Sequence, residues 1–331
     1  MSVYNSQDYL VEAIDSILNQ SFEDFEFLII NDGSTDDSVS IIKQYQDPRI
    51  QLIENPTNIG LTKSLNLGID SARGEYLARM DADDIALPQR FEKQMAYLLQ
   101  HKNIVLLGTG KIDISADGKV IANKPALSSA ERLKALLFFH NTFCHPSIIG
   151  KTEIFRKYKY DEAIPVAQDY HLWNRIAQEH PVDNLKQALL KYRVHASSIS
   201  QSKRDKQLAV VRLINAEYFQ ALGLDEHKLD LHLKIGNLDN HYVLATKELK
   251  EISAWLKLLC SKNLERKVFT QAGLDFAIAR RWTALMTRKN TKLHLKDIGL
   301  VLFPNLRLAF PQRIIIFLFY CKKLLTWPKS N

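Results

Sequence analysis

The chain contains few cysteines and no long uninterrupted apolar run, and each of these features argues against particular classes of protein. The three cysteines, Cys144, Cys260 and Cys321, lie far apart and form no C-x-x-C pair. Their spacing argues against a disulfide framework or a zinc site and is typical of proteins in a reducing compartment. No apolar stretch reaches the roughly 20 residues of a membrane-spanning helix, and the polar start does not predict a signal peptide. We therefore expect a cytoplasmic protein.

Acidic residues are scarce near the carboxyl terminus. Residues 257–331 hold 15 lysines and arginines but only 3 aspartates and glutamates, whereas residues 1–256 have a small acidic excess. Such a basic tail indicates an anionic partner, either a membrane surface or a nucleic acid. The apolar stretch 314–321 has basic residues on both sides, which suits an interfacial helix on anionic lipid but also a core helix with a basic rim. No aromatic and basic platform accompanies this stretch, so we expect no nucleic-acid partner. We expect instead peripheral attachment to the inner face of the plasma membrane.

Apolar periodicity predicts that strands alternate with helices over the first third of the chain. The predicted strands cover residues 25–30, 50–53, 75–80 and 104–107, and the predicted helices cover 9–18, 60–72 and 88–101, with another helix after Asp37. This alternation predicts an α/β fold with a doubly wound sheet, mixed but mostly parallel. After residue 110 we expect a hairpin that turns at Asp117-Gly118, helices near 129–139 and from Asp169, and a helical extension from about residue 205.

The start of the chain departs from this pattern, because the first predicted element is a helix and not a strand. The polar turn Tyr4-Asn5-Ser6 stands where a strand should end, and only Met1-Ser2-Val3 precedes it. We therefore expect that the first strand is missing and that its neighbours lose backbone hydrogen-bond partners, which is costly for buried groups. Apolar codons in frame upstream of Met1 would indicate that this methionine is internal.

Three carboxylates follow the predicted strand at residues 75–80. They belong to the stretch Arg79-Met80-Asp81-Ala82-Asp83-Asp84. Carboxylates at the carboxyl end of a strand lie where ligands bind in open α/β sheets, and a spacing of i and i+2 can chelate a hard divalent cation that also bridges phosphates. Asp81 and Asp83 should project the same way, with Asp84 pointing elsewhere. The alternative is a solvated acidic turn before a helix that Pro88 opens.

Other polar residues are candidates for binding or catalysis, each with a structural alternative. Asp32 ends a predicted strand, so that it can accept a base N–H or a ribose hydroxyl, or else belong to a helix N-cap cluster. Asp169 begins a predicted helix and is either a general base or an acid that complements the helix dipole. Arg193 and His195 precede the hydroxyl-rich residues 197–200 and can clamp a diphosphate or serve structure alone. The pair His145-Pro146 is equally ambiguous.

From residue 3 to about residue 200, the order and spacing of these motifs resemble the family 2 inverting glycosyltransferases, which have the GT-A fold and include bacterial surface-polysaccharide enzymes. The matching motifs are Val3-Tyr4-Asn5-Ser6, Ala13-Ile14-Asp15-Ser16-Ile17-Leu18-Asn19-Gln20, Asn31-Asp32-Gly33-Ser34-Thr35-Asp36, Asn58-Ile59-Gly60-Leu61, Asn66-Leu67-Gly68-Ile69, Ala72-Arg73-Gly74-Glu75-Tyr76, Asp81-Ala82-Asp83-Asp84, His145-Pro146-Ser147, Gln168-Asp169-Tyr170-His171-Leu172-Trp173 and Tyr192-Arg193-Val194-His195. The family's usual Glu-Asp pair is Gln168-Asp169 here, so the chain keeps the implied base but lacks the neighbouring carboxylate.

The resemblance implies a role for each matching position. For the nucleotide, Tyr4 would line the base, Asp32 would bind it, and Asp81 and Ala82 would face the ribose or diphosphate. Asp83 would hold Mn²⁺ or Mg²⁺, and Asp169 would be the general base. The residues that would contact the acceptor or the diphosphate are Asp84, Arg193 and His195.

The implied reaction moves a sugar, expected from a UDP-hexose, to a saccharide or lipid-linked saccharide acceptor with inversion, in lipopolysaccharide or capsule synthesis. Residues 1–110 would bind the donor, residues 111–204 the acceptor, and residues 205–331 would form a basic helical extension that can associate with a membrane.

Two alternative functions stay open. A sugar nucleotidyltransferase shares the metal and nucleotide chemistry, although the chain lacks its Gly-rich basic opening loop. A short first strand could also leave an inert nucleotide-sugar-binding protein.

Overall fold

The computed structural model describes residues 1–195, 204–236 and 245–287, and the chain divides into two compact units. The first unit comprises Met1–Leu133 and Thr142–Val211, and the second comprises Lys134–Asn141 and Arg212–Asn331. The hydroxyl-rich residues 197–200 and the basic apolar stretch 314–321 lie outside the described residues.

The predicted alternation of strands and helices is observed in the first unit. Its strands are β1 (Ser2–Val3), β2 (Phe27–Asn31), β3 (Ile50–Glu54), β4 (Tyr76–Ala78), β5 (Ile85–Ala86), β6 (Leu106–Ser115), β7 (Val120–Lys124), β8 (Ile149–Lys151) and β9 (Val182–Val194). Its helices are α1 (Leu10–Leu18), α2 (Ser38–Lys43), α3 (Leu61–Ser71), α4 (Arg90–Gln100), α5 (Ala130–Leu137, which runs into the second unit), α6 (Thr152–Tyr158) and α7 (Gln168–Glu179). The helices α8 (Arg204–Leu222), α9 (Leu229–Gly236), α10 (Thr246–Arg266) and α11 (Gln271–Met286) follow.

The first sheet is parallel, with the order β1-β2-β3. Its central strand β2 is rich in β-branched and aromatic residues, which favour a pleated, buried surface. Helix α1 packs its apolar face on this core, where Leu10, Ile14 and Ile29 are completely buried. The carboxyl ends of β1, β2 and β3 therefore point to one edge, as in other open α/β sheets.

The second sheet has the order β4-β8-β6-β9-β5, with β7 paired to β6. Only β6 and β9 run parallel, and the other pairs are antiparallel. The predicted mixed α/β fold is confirmed, but the expectation of a mostly parallel sheet holds for the first sheet alone. Strands β8 and β9 were not predicted. In β9 the run Asp183–Gln187 interrupts the apolar residues with polar ones, so no clear alternation marks the strand.

The expectation of a missing first strand requires correction. Residues Ser2–Val3 form β1 in register with Ile30 and Asn31 of β2. Ser2 also makes a parallel bridge to Asp81, so β1 lies between β2 and the segment that follows β4. The strand is present but only two residues long, and it joins the first sheet to the acidic segment.

The second unit is helical within its described residues, as predicted from residue 205 onward. Its core is an aromatic cluster in which the Phe138 ring stacks on His232 with 4.0 Å between centroids. His232 Nε2 lies 3.0 Å from the Phe138 carbonyl oxygen, and burial lowers the pKa of His232 to about 4. Among the described helices, none combines the length and the apolar character that a bilayer crossing requires.

Candidate active site

Asp81, Asp83 and Asp84 form a cluster, here named the acid corner, in the loop between β4 and β5. Each contributes one carboxylate oxygen, and these oxygens lie within 4.8 Å of one another. The prediction that Asp84 points away from the other two is therefore wrong. Strand β5 pairs with β9 directly after Asp84, and the Arg193 backbone N–H donates to Asp84 Oδ1 at 2.8 Å. This contact between distant segments turns the side chain toward the cluster.

The acid corner concentrates negative charge in a poorly solvated place. Asp84 is 1% exposed, and its Oδ2 has no hydrogen-bond donor in the described part of the chain. Burial raises the pKa of Asp84 well above its ordinary value, and the charges of Asp81 and Asp83 raise it further. Burial also raises the pKa of Asp81, although the Arg79 guanidinium opposes this change. A set of oxygen donors with one unsatisfied buried oxygen fits a hard divalent cation such as Mn²⁺ or Mg²⁺.

Two buried arginines, to which the sequence motifs assign no role, hold the acid corner in place. Arg79 is 5% exposed and binds Asp81 through both terminal nitrogens, with 2.5 Å from Nη1 to Asp81 Oδ2. Arg90 is completely buried and donates through Nη2 to the Arg79 carbonyl at 2.8 Å and to the Ile148 carbonyl at 3.2 Å. Burial lowers the pKa of Arg90 to about 10. The available signal was an arginine beside the acids and another one in the first turn of the helix after them.

Arg193, predicted as a contact of the diphosphate or acceptor, has its guanidinium directed at groups of the protein. Nε donates to the Asp83 carbonyl at 2.9 Å, Nη1 donates to the Ala116 carbonyl at 2.8 Å, and Nη2 pairs with Glu12. The guanidinium also stacks over the Tyr9 ring at 4.5 Å. Its side chain therefore joins the acid corner, the β6–β7 turn and α1.

His195, the other residue predicted at this position, lies directly on the acid corner. Its Nε2 is 2.9 Å from Asp83 Oδ2, and its ring lies 5.5 Å from the Tyr9 ring. The Asp83 side chain remains 33% exposed, so its carboxylate is accessible from solvent. An imidazole nitrogen beside an accessible carboxylate is a usual donor pair for a divalent metal.

Asp169, the predicted general base, lies in the first turn of α7 and is partly buried. The preceding Ala167 has a φ of +52°, a left-handed conformation that non-glycine residues seldom adopt and that recurs at functional sites. Burial raises the pKa of Tyr160, and the charges of Asp169 and Asp81 add to this rise. Tyr160 thus feels the charges of both Asp169 and Asp81, which belongs to the acid corner.

Tyr160 connects this region to His145 of the predicted His145-Pro146 motif. The Tyr160 hydroxyl and His145 Nε2 are 2.7 Å apart. Burial lowers the pKa of His145 well below its ordinary value, and the nearby Arg79 charge lowers it further. The imidazole is therefore neutral at pH 7 and serves as a buried hydrogen-bond partner of the tyrosine.

Asp32, the predicted base-binding residue, is 2% exposed and accepts three hydrogen bonds from the loop after β3. Its donors are Asn55 Nδ2, the Ile59 backbone N–H and the Gly60 backbone N–H, at 2.9 to 3.0 Å. This arrangement shapes the loop at the edge where β2 ends. A contact between Asp32 and a base stays a prediction of the resemblance.

The predicted nucleotide residues Tyr4 and Ala82 differ in accessibility. Tyr4 is 49% exposed in a turn whose next residue, Asn5, has a φ of +48° and receives a hydrogen bond from the Thr35 backbone N–H at 2.9 Å. This contact joins the turn to the loop after β2, so an exposed ring lies at the carboxyl edge of the sheet. Ala82 is buried in the hydrophobic core and can offer a ligand only its backbone.

Comparisons with known proteins agree with this arrangement. Residues 1–159 match the family model described as Glycosyl transferase family 2. An uncharacterized glycosyltransferase of Methanocaldococcus jannaschii is 39% identical over 214 residues, which cover 62% of this chain and 74% of that protein. The O-antigen biosynthesis glycosyltransferase WbnJ of Escherichia coli is 35% identical over 211 residues, which cover 61% of this chain and 81% of WbnJ.

A solved structure with a similar fold is that of S. aureus TarS 1-349 in complex with UDP. It aligns with a TM-score of 0.55 at 18% identity and covers 100% of this chain and 92% of the TarS chain. At this identity the likeness concerns the fold, and it agrees with the predicted GT-A type of α/β architecture.

Proposed function

The chain belongs to glycosyltransferase family 2, and from this premise we propose that it transfers a sugar from a nucleotide-diphosphate sugar to a saccharide or glycolipid acceptor. The observation that carries the proposal is the acid corner at the carboxyl edge of the sheet, and the charges of Asp81 in this corner and of Asp169 both act on the buried Tyr160. The name of WbnJ supports a place in surface-polysaccharide synthesis, and the UDP bound to TarS makes UDP-hexoses the first donors to test.

We propose that the acid corner holds Mn²⁺ or Mg²⁺, with Asp83 as the principal ligand and His195 beside it. When bound, such a cation would offset the negative charge that develops on the departing diphosphate. Asp81, held in place by Arg79, would face the donor diphosphate or ribose, and Tyr4 would line the base. The unsatisfied Oδ2 of Asp84 supports this assignment, because a cation is the partner that a buried carboxylate oxygen lacks.

We propose that Asp169 is the general base of an inverting displacement. Asp169 takes the proton of an acceptor hydroxyl while the hydroxyl oxygen forms a bond to the anomeric carbon. The bond from that carbon to the diphosphate breaks in the same step, so the nucleoside diphosphate leaves with the bonding electrons. A single displacement inverts the anomeric centre. The acceptor-binding half would be residues 111–204 and the donor-binding half residues 1–110.

Replacing Asp169 by asparagine tests this role. Asp169→Asn removes the base but preserves shape, so we expect turnover to fall by a factor on the order of 10³, while the Kd of the donor changes less than about twofold. The measurements are acceptor-dependent nucleotide release and donor titration with Mn²⁺ present. Asp70→Asn is the matched control, because Asp70 lies in an exposed ion pair with Lys159. Equal losses of binding and turnover in Asp169→Asn would contradict the role.

We propose that the protein acts in the cytoplasm, attached peripherally to the inner face of the plasma membrane through its basic extension, residues 205–331. The supporting observation is compositional: the last 75 residues carry 15 of the 44 lysines and arginines but only 3 of the 37 acidic residues. This asymmetry suits an anionic lipid surface, where a glycolipid acceptor would also be found.

A further inference from the structure

The buried hydroxyl of Tyr160, in the loop between α6 and α7, has no part in the reaction proposed for Asp169 above. Tyr160 is 4% exposed, and its hydroxyl oxygen lies 2.7 Å from His145 Nε2. A tyrosine hydroxyl can accept one hydrogen bond and donate another, so it can join the histidine to a second polar group. The direction of the hydroxyl hydrogen therefore decides which group Tyr160 serves.

The backbone of Tyr160 is fixed by one amide side chain. Asn66 of α3 accepts the Tyr160 N–H through Oδ1 at 3.0 Å and donates to the Tyr160 carbonyl oxygen through Nδ2 at 2.9 Å. Lys159, directly before Tyr160, has a φ of +43°, and Ala167, at the end of the loop, has a φ of +52°. Strained backbone of this kind persists where the surrounding contacts impose it, and it recurs at functional sites. These contacts give the Tyr160 ring a defined position.

The Tyr160 ring packs on the side of α7 that carries Asp169. Its centroid lies 6.3 Å from that of the Trp173 indole in an edge-on arrangement, and the His145 ring lies 5.8 Å from the same indole. Trp173 is completely buried and follows Asp169 by four residues, so the two side chains share one face of the helix. Because helical side chains lean toward the amino end, Trp173 covers the turn in which Asp169 lies. The pair of His145 and Tyr160 therefore lies along this face.

The charges around Tyr160 and His145 favour one direction for the hydroxyl hydrogen. Burial raises the pKa of Tyr160; the Arg79 charge opposes this rise, and the charges of Asp169 and Asp81 add to it. Burial lowers the pKa of His145, and Arg79 lowers it further, so the imidazole is neutral at pH 7. A neutral imidazole can donate from Nε2 to the tyrosine oxygen, which leaves the tyrosine hydrogen for a carboxylate.

We propose that Tyr160 is a positioning residue for Asp169: His145 donates to the tyrosine oxygen, and the tyrosine hydroxyl donates to the Asp169 carboxylate. This inference rests on the proposed function of Asp169 as the general base. The bond would hold the carboxylate in one rotamer and favour its ionised form, because a donor stabilises the charged carboxylate. The second carboxylate oxygen of Asp169 stays available for the proton of the acceptor hydroxyl.

Tyr160→Phe tests the proposal, since it removes the hydroxyl and keeps the ring on Trp173. We expect the titration of the Asp169 carboxyl, followed by carbon-13 NMR and assigned by its loss in Asp169→Asn, to move to higher pH by about half a unit or more. The kcat for Mn²⁺-dependent UDP release from a UDP-hexose should fall about tenfold or more, while the donor Kd changes less than about twofold. The acid limb of the kcat profile should move to higher pH with the carboxyl titration. An unchanged Asp169 titration would overturn the proposal.

Tyr97→Phe is the matched control for the loss of a tyrosine hydrogen bond. Tyr97 is partly buried, and its hydroxyl donates to Asp183 Oδ2 at 2.8 Å. Each substitution removes one such bond, so each should lower Tm by a similar few degrees. Only Tyr160→Phe should change the Asp169 titration and the kcat. If both variants lose kcat equally, the loss reflects stability alone and the positioning role is wrong.

Two substitutions of His145 test whether it acts through Tyr160. Glutamine can place an amide N–H close to the position of Nε2, so His145→Gln should keep kcat within about threefold of the wild type, whereas His145→Phe should lose as much as Tyr160→Phe. Because both residues act through one hydrogen bond, the double variant His145→Phe with Tyr160→Phe should lose no more than about twofold beyond either single variant. Losses that multiply in the double variant would contradict a path from His145 through Tyr160.

These measurements separate the positioning role from the proposed function. If Asp169→Asn keeps the wild-type turnover, the general base is wrong, and the hydrogen bond from Tyr160 loses its catalytic meaning with it. If Asp169→Asn is inactive while Tyr160→Phe keeps both the wild-type titration and the wild-type kcat, only the positioning role is wrong. The carboxyl titration needs neither donor nor acceptor, so it tests the hydrogen bond independently of any activity.

Discussion

Arg193 contacts the acid corner twice, once at Asp84 and once at Asp83. The Arg193 backbone N–H holds Asp84, and its side-chain Nε holds the carbonyl of the neighbouring Asp83. The other guanidinium nitrogens reach Ala116 and Glu12. We therefore interpret Arg193 as a positioning residue for the carboxylates, while its contact with a diphosphate or acceptor stays a prediction of the resemblance.

An Arg193→Lys variant tests that interpretation at the scale of single residues. Lysine keeps the charge but lacks the planar fork, so it cannot reach all three partners at once. We expect the apparent Kd for Mn²⁺, followed through nucleotide binding, to rise about tenfold, with a Tm lower than that of the wild type. Arg175→Lys on α7 is the control, since Arg175 Nη1 donates to the Lys159 carbonyl at 3.2 Å and its guanidinium lies over the Tyr158 ring. A lower Tm with unchanged Mn²⁺ affinity would show that Arg193 serves stability alone.

At the scale of elements, α9 is held to the Phe138 segment by a histidine that must stay neutral. Burial sets the pKa of His232 at about 4, below its ordinary value of 6.5. Between these two values the unfolded chain binds more protons than the folded one, so the free energy of unfolding falls as pH drops from 6.5 to 4. His140, whose pKa burial lowers to about 3, acts in the same direction.

Replacing His232 by glutamine should therefore weaken the pH dependence of stability. We expect the loss of unfolding free energy between pH 6.5 and pH 4 to shrink by about 3 kcal/mol at most, measured by urea denaturation at each pH. His227→Gln, at an exposed position of the same region, should leave the pH dependence unchanged. A His232→Gln profile parallel to that of the wild type would mean that this histidine is not the titrating group.

Local periodicity was sufficient for the elements whose apolar residues repeat regularly, as in α1, β2 and α3. It failed where the pattern depends on distant partners. The long β9 is recognisable only from its pairing with β6 and β5, because polar residues interrupt its apolar ones. The direction of Asp84 was wrongly predicted for the same reason, since β9 determines it. The motif positions indicated the family, while the buried Arg79 and Arg90 that support the site gave no comparable signal.

At the scale of the whole molecule, charge asymmetry predicts where the enzyme works. The full chain should sediment with vesicles that contain anionic lipid and be released by salt, because lysines and arginines near such a surface contribute about 1 kcal/mol each. A chain without residues 300–331, which hold five of these cations, should lose most of this binding. Lys322→Gln combined with Lys323→Gln is the milder variant and should bind with intermediate affinity. Equal sedimentation of the full and shortened chains would contradict attachment through the tail.

Membership in a glycosyltransferase family argues against the two alternative functions that the sequence left open. The relatives described above are glycosyltransferases, which does not support a sugar nucleotidyltransferase. The inert binding protein was inferred from a missing first strand, yet β1 forms and Ser2 is bridged to Asp81. The short strand thus still reaches the acid corner.

If the acid corner holds the cation, nucleotide-sugar turnover should depend on a divalent metal. The most direct measurement is UDP release from a panel of UDP-hexoses, with and without Mn²⁺, by the wild type, Asp83→Ala and the control Asp117→Ala at the exposed hairpin turn. We predict Mn²⁺-dependent release by the wild type and the control, and a loss of at least about a hundredfold in Asp83→Ala. Mn²⁺-dependent release at the wild-type rate by Asp83→Ala would show that the acid corner does not hold the catalytic cation.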